Sequence, residues 1–103
     1  MGTKIRLEIE WSEKAEVTFE SNIAYLQEHW DEKVIKKFVD KLNNTLDNLR
    51  SFPHLGRVSN LKRARIITRH KHVLLVFRLI PDKNLIRLVV FLNTKKNSTQ
   101  RYL

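Results

Sequence analysis

The side chains able to do chemistry in this chain of 103 residues crowd into its back half. Arg57, Lys62, Arg63, Arg65, Arg69, Lys71, Lys95, Lys96 and Arg101 form a basic group there. Residues 50–103 hold thirteen Lys and Arg against one acid, Asp82, for a net +12. Residues 1–49 hold seven bases and ten acids, for a net −3. A solubilising surface intersperses both signs, whereas a block of one sign faces a polyanion or an acidic protein partner. Arg65 and Arg69 flank Ile67 at a two-residue spacing, which on a strand puts both cations on one face. His70 and His72 share that spacing and could meet a metal or a phosphate. A metal needs further ligands, yet Asp82 is the only acid in this half and the chain has no cysteine. The pair therefore reads as exposed turn histidines, with no metal and no cofactor expected. His54 reads as a surface residue.

The positioning elements follow from periodicity. Residues 4–11, "KIRLEIEW", alternate, with Ile5, Leu7, Ile9 and Trp11 on one side, and predict a half-buried strand. Ser12 is an N-cap candidate, with Glu13 and Glu16 in the first turn. The first helix is expected from Glu13 to His29, on a stripe of Ala15, Phe19, Ile23, Leu26 and Trp30. Asp31 caps a second helix, from Glu32 to Arg50, on Ile35, Phe38, Leu42, Leu46 and Leu49. So short a link folds the two into an antiparallel hairpin. Trp11 and Trp30 are expected as packing residues.

"SFPHLGRV", residues 51–58, is the punctuation. Pro53 ends the second helix, and Gly56 can take the positive φ that a turn requires. Strands are expected at 63–69, 72–80 and 85–92, the middle one apolar enough to be central. "PDKN" at 81–84 and "RHKH" at 69–72 hold the tight turns, so these strands run antiparallel. The fold expected is α+β, in the order β-α-α-β-β-β. A helical hairpin covers one face of a largely antiparallel sheet, and the other face is open and basic. Residues 1–103 read as one domain: strand plus hairpin over 4–50, strand block over 62–92 and a basic tail over 93–103.

No membrane partner is expected. The longest apolar runs, Val73–Phe77 and Leu88–Leu92, are five residues each and far too short to span a bilayer. The charged N-terminus lacks a signal-peptide core, and the absence of cysteine suits a reducing cytoplasm.

Three stretches carry a family resemblance. "EWSEKAEVTFESNIAYLQEHW" resembles the opening strand and first helix of the RelE/ParE toxin superfamily. Phe38, Leu42, Leu46, Leu49, Phe52, Pro53, Leu55, Gly56 and Arg57 resemble its second helix and exit, "F...L...L..L..FP.LGR". "ARIITRHKHVLLVFRLIPDKNLIRLVVFLNTKKN" resembles its strand block. The resemblance spans nearly the whole chain and leans to the ParE-like branch, the plasmid-stabilization toxins. It implies the toxin of a type II toxin–antitoxin pair, cytoplasmic, causing growth arrest, and held by an acidic antitoxin.

The superfamily divides by target. ParE-like members trap DNA gyrase on cleaved DNA and hydrolyse nothing. RelE-like members cut mRNA on the ribosome, which needs a base for the 2′-hydroxyl, cations for the transition state and a donor for the leaving oxygen. For that alternative the resemblance implies Arg65, Arg69, His72 as proton carrier, Lys95 and Tyr102 as the catalytic set. This chain departs from the nuclease pattern in the central strand, where Val73-Leu74-Leu75 stand in place of a functional Arg. A third reading is a non-toxic binding domain on the same scaffold.

Overall fold

The computed structural model describes residues 7–59, 64–70 and 73–94, with residues 68–70 described by backbone alone. β1 (Glu8–Trp11) leads into α1 (Glu13–His29) and α2 (Glu32–Ser51). Then follow β2 (Arg57–Val58), β3 (Ala64–His70), β4 (Val73–Ile80) and β5 (Leu85–Asn93). The sheet order is β1-β5-β4-β3-β2, with β1 parallel to β5 and the other pairs antiparallel. Both helices pack on this mixed sheet, so the α+β expectation is met. β2 is new relative to the sequence reading, because two residues are too few to show a period.

Local chemistry explains the helix boundaries. The Ser12 hydroxyl accepts the Ala15 N–H at 3.0 Å, and the Asp31 carboxylate accepts the Val34 N–H at 3.1 Å. Each cap satisfies a donor that the first helical turn leaves without a partner. α2 ends with the Phe52 N–H on the Asn48 carbonyl at 2.8 Å, one residue before Pro53. Its expected stripe is the buried one: Phe38, Leu42, Leu46 and Leu49 lie in the core.

α1 departs from its expected stripe. Trp30 takes an extended conformation, φ −139° and ψ 158°, at the helix end and stays 39% exposed. Asn22 is buried instead. The cause is the edge of β5. β1 stops at Trp11, opposite Leu88, while β5 runs on to Asn93. α1 covers the uncovered length and answers its backbone with side chains. Ser12 Oγ donates to the Val89 carbonyl at 3.0 Å. Thr18 Oγ1 accepts the Phe91 N–H at 2.9 Å, and Asn22 Nδ2 donates to the Phe91 carbonyl at 3.3 Å. These polar groups do the work of a missing strand, since buried backbone groups must find partners.

Beneath the helices Phe77, Leu26, Leu49, Ile86 and Leu88 are fully buried. Trp11 stacks on Phe91 and meets Phe19 edge-on, both at 5.4 Å between ring centres, tying β1, α1 and β5 together. The register shifts between Val76 and Phe77, which pair with Val90 and Leu88, so Val89 is the extra residue of a bulge in β5. The bulge puts Leu88 and Phe91 on the helix side and sends Val90 and Leu92 to the opposite face.

That opposite face corrects a further expectation. It is not wholly open: Ala64, Ile66, Leu74, Val76, Val90 and Leu92 are buried there, each at most 6% exposed, while Arg57, Arg78 and Arg87 share the face by register. β3, β4 and β5 bury apolar residues on both faces, as central strands do when both faces are covered.

Candidate partner-binding surface

The exit turn after α2 is built against β3. Gly56 has φ +88°, and a Cβ there would lie 2.6 Å from the Ile66 carbonyl oxygen. Only glycine fits both the conformation and the space. Arg65, next along the chain from Ile66, locks the turn from the other side. Its Nη1 donates to the His54 and Gly56 carbonyls, each at 3.2 Å. Arg65 shares its side of β3 with Ile67, which sits in the core below the helices. Two of its N–H groups are thus committed to holding a turn.

A groove opens beside this turn, about 460 Å³ in volume. His54, Val58, Ala64, Arg65, Leu79, Pro81 and Asp82 line it. Val58 is 67% exposed, and Phe52 at the start of the turn is 54% exposed. Neither Arg65 nor Asp82 has a charged partner among the described residues.

Other cations sit elsewhere. Glu10, Arg87, Arg78 and Ala64 form one cross-strand row over β1, β5, β4 and β3. The Arg87 guanidinium pairs with Glu10 at 2.5 Å, both about half exposed. Arg78 Nε is buried and has no acceptor among the described residues. Arg57 faces solvent from β2, opposite Ile66.

On the helices the balance of charge differs. β1 and α1 expose Glu8, Glu10, Glu13, Glu16, Glu20 and Glu28 against Lys14, whereas α2 exposes Lys33, Lys36, Lys37 and Lys41 against Glu32, Asp40 and Asp47. Charge summed over the front half of the sequence hides this division, because α1 and α2 partly cancel.

Of the residues singled out from sequence, the described structure brings Arg65 and His54 to the groove, while Arg57 follows the turn on β2 and does not line it. Arg69 lies in β3, where the register shifts between Thr68 and His70. The two-residue period relating it to Arg65 is therefore interrupted at its own position. Lys62, Arg63, Lys71, His72, Lys95, Lys96, Arg101 and Tyr102 lie outside the described residues. Sequence reasoning missed the grouping of His54, Val58, Leu79 and Asp82 with Arg65. Those residues are brought together by strand pairing across the sheet end, which no local pattern carries.

Residues 9–97 match the family model described as the ParE toxin of the type II toxin–antitoxin system, parDE. The chain belongs to the ParE toxin family. The match runs from the second residue of β1 past the end of β5 and takes in both helices and the four other strands. A solved structure described as a chromosomal ParDE TA system from P. aeruginosa has the same fold. It aligns at a TM-score of 0.71 and 15% identity, over 88% of this chain and 98% of that one. No curated protein matches the sequence. No described helix of this ParE-family chain is long and apolar enough to cross a membrane.

Proposed function

We propose that this ParE-family toxin arrests growth by binding DNA gyrase and holding it on cleaved DNA, and that an acidic antitoxin keeps it inactive. The observation that carries the reading is the ParE family match over residues 9–97. Two features support it over mRNA cleavage. Arg65, the first cation of the nuclease set, is engaged by turn carbonyls. Val73, Leu74 and Leu75 stand where the sister branch carries a functional Arg, and each is at most 5% exposed. A reacting cation has no place in such a packed strand. Binding to a protein–DNA complex needs charge and shape rather than a general base, and the chain's net charge of +9 supplies the first. The basic group of Arg57, Lys62, Arg63, Arg65, Arg69, Lys71, Lys95, Lys96 and Arg101 makes the target or antitoxin contact in this reading.

The test is pulse expression in bacterial cells without antitoxin, read by a DNA-damage reporter. Arrest with reporter induction is the expected result. Arrest without induction overturns the gyrase reading in favour of mRNA cleavage, and unimpeded growth leaves a binding domain.

A further inference from the structure

The face of the sheet away from the helices carries a charge that the described residues leave unanswered. Arg78 on β4 stands directly opposite Arg87 on β5. Glu10 of β1 lies beyond Arg87, and the small Ala64 of β3 lies beyond Arg78. Like charges directly opposite each other on paired strands repel. Glu10 answers Arg87 with an ion pair. Arg78 has no such partner among the described residues, and its Nε is buried without an acceptor. A buried donor of this kind is rare in folded proteins, and an ion is one of the few things that accounts for it.

Two observations narrow the anion. Arg78 as a whole is only half-buried, and of its nitrogens Nε alone is sealed off, so the terminal N–H groups stay within reach of a ligand. Arg57 shares the face from β2, opposite Ile66. Arg57, Arg78 and Arg87 thus spread over the strands from β2 to β5, about 14 Å at the usual strand spacing. A carboxylate is a single point of charge. A nucleic-acid backbone repeats its charge at every nucleotide and matches cations spread across a sheet. Each phosphate also offers oxygens for the paired N–H groups of a guanidinium.

We propose that Arg78 takes a backbone phosphate of DNA, and that Glu10 holds Arg87 back from doing the same. The proposal rests on the gyrase reading, in which the toxin sits on a protein–DNA complex, and adds a direct contact between toxin and DNA. The contact is indifferent to sequence, because phosphates carry none.

The test is binding of the purified full chain to a short fluorescent DNA duplex without gyrase, followed by anisotropy from about 0.05 to about 0.2 M salt. Each phosphate contact adds about one to the slope of log affinity against log salt. Arg78→Gln should flatten the slope by about one, and Arg78→Lys should keep it. Glu10→Gln should steepen it by about one, since Arg87 is released. The Glu10–Arg87 pair is exposed, so that variant keeps the fold. Slopes equal to the parent's in both Arg78→Gln and Glu10→Gln overturn the proposal, as does a parent chain that does not bind DNA. Loss of antitoxin binding in Arg78→Gln, with its DNA slope unchanged, also overturns it and gives the site to an acidic protein. The gyrase reading is judged separately by the DNA-damage reporter. Reporter induction by the parent chain together with unchanged slopes overturns the phosphate site alone.

Discussion

At the scale of single residues, the protein depends on a few side chains that serve backbone groups. Gly56 combines a positive φ with an approach to the Ile66 carbonyl that leaves no room for a methyl group. Gly56→Ala should cost about 2 kcal/mol or more in a denaturant melt, from strain and displaced backbone together. Thr18 is a subtler case. Its hydroxyl accepts the Phe91 N–H on the edge of β5 that β1 leaves unpaired among the described residues. Thr18→Val keeps the shape and removes the acceptor, and should destabilise by about 1–3 kcal/mol. A variant as stable as the parent would show that this N–H has another way to be satisfied. The Glu10–Arg87 pair is a different matter. Its side chains are 47% and 40% exposed, so screening limits it to about 0–1 kcal/mol, and its removal should barely shift the melt.

At the scale of elements, α2 is the main apolar support for the sheet and α1 its polar guard. Phe38, Leu42, Leu46 and Leu49 enter the core from one helix. Leu49 is fully buried near the point where α2 meets β1, whose neighbour Leu7 donates its N–H to the Arg50 carbonyl at 3.0 Å. Leu49→Ala should therefore cost about 2–5 kcal/mol, measured by urea unfolding with an unchanged slope. The Asp31 cap is exposed and worth less: Asp31→Ala should cost about 1 kcal/mol. If Leu49→Ala proved as mild as Asp31→Ala, the view of α2 as the principal packing element would be wrong.

At the scale of the molecule, charge is arranged more finely than by halves. Acids predominate on β1 and α1, α2 mixes four exposed lysines with three exposed acids, and the strand half carries most of the excess. In the proposed reading, with an acidic antitoxin, the net +9 should steer the encounter. Raising ionic strength from about 0.03 to about 0.3 M should slow association by about tenfold, with a smaller effect on dissociation. Stopped-flow mixing would check it. A salt-independent association rate would mean that the excess charge plays no part in the encounter. In the gyrase reading, removal of the tail from Lys95 onward should abolish growth arrest, and persistent arrest would place the target contact elsewhere.

Much of the fold was legible in sequence because its signals are local. Ser12 and Asp31 as caps, the α2 stripe, Pro53 as a stop and Gly56 as a turn each depend on a few adjacent residues. The apolar run from Val73 onward fixed its strand as central, since nothing else buries both faces. What needed the tertiary structure depends on contacts distant in sequence. No period in "LIRLVVFL" announces the bulge at Val89, which decides that Phe91 rather than Val90 joins the helices. The burial of Asn22 in place of Trp30 follows from β1 ending short of β5, a fact about the neighbour of a strand. The second face is apolar because the alternate residues of three strands add up only once their order is known. Arg65 shows the limit most clearly. Its charge and strand position could be read from sequence. That it grips the turn at His54 and Gly56, rather than standing free with Arg69, is decided by β2 and β3 pairing across the sheet end.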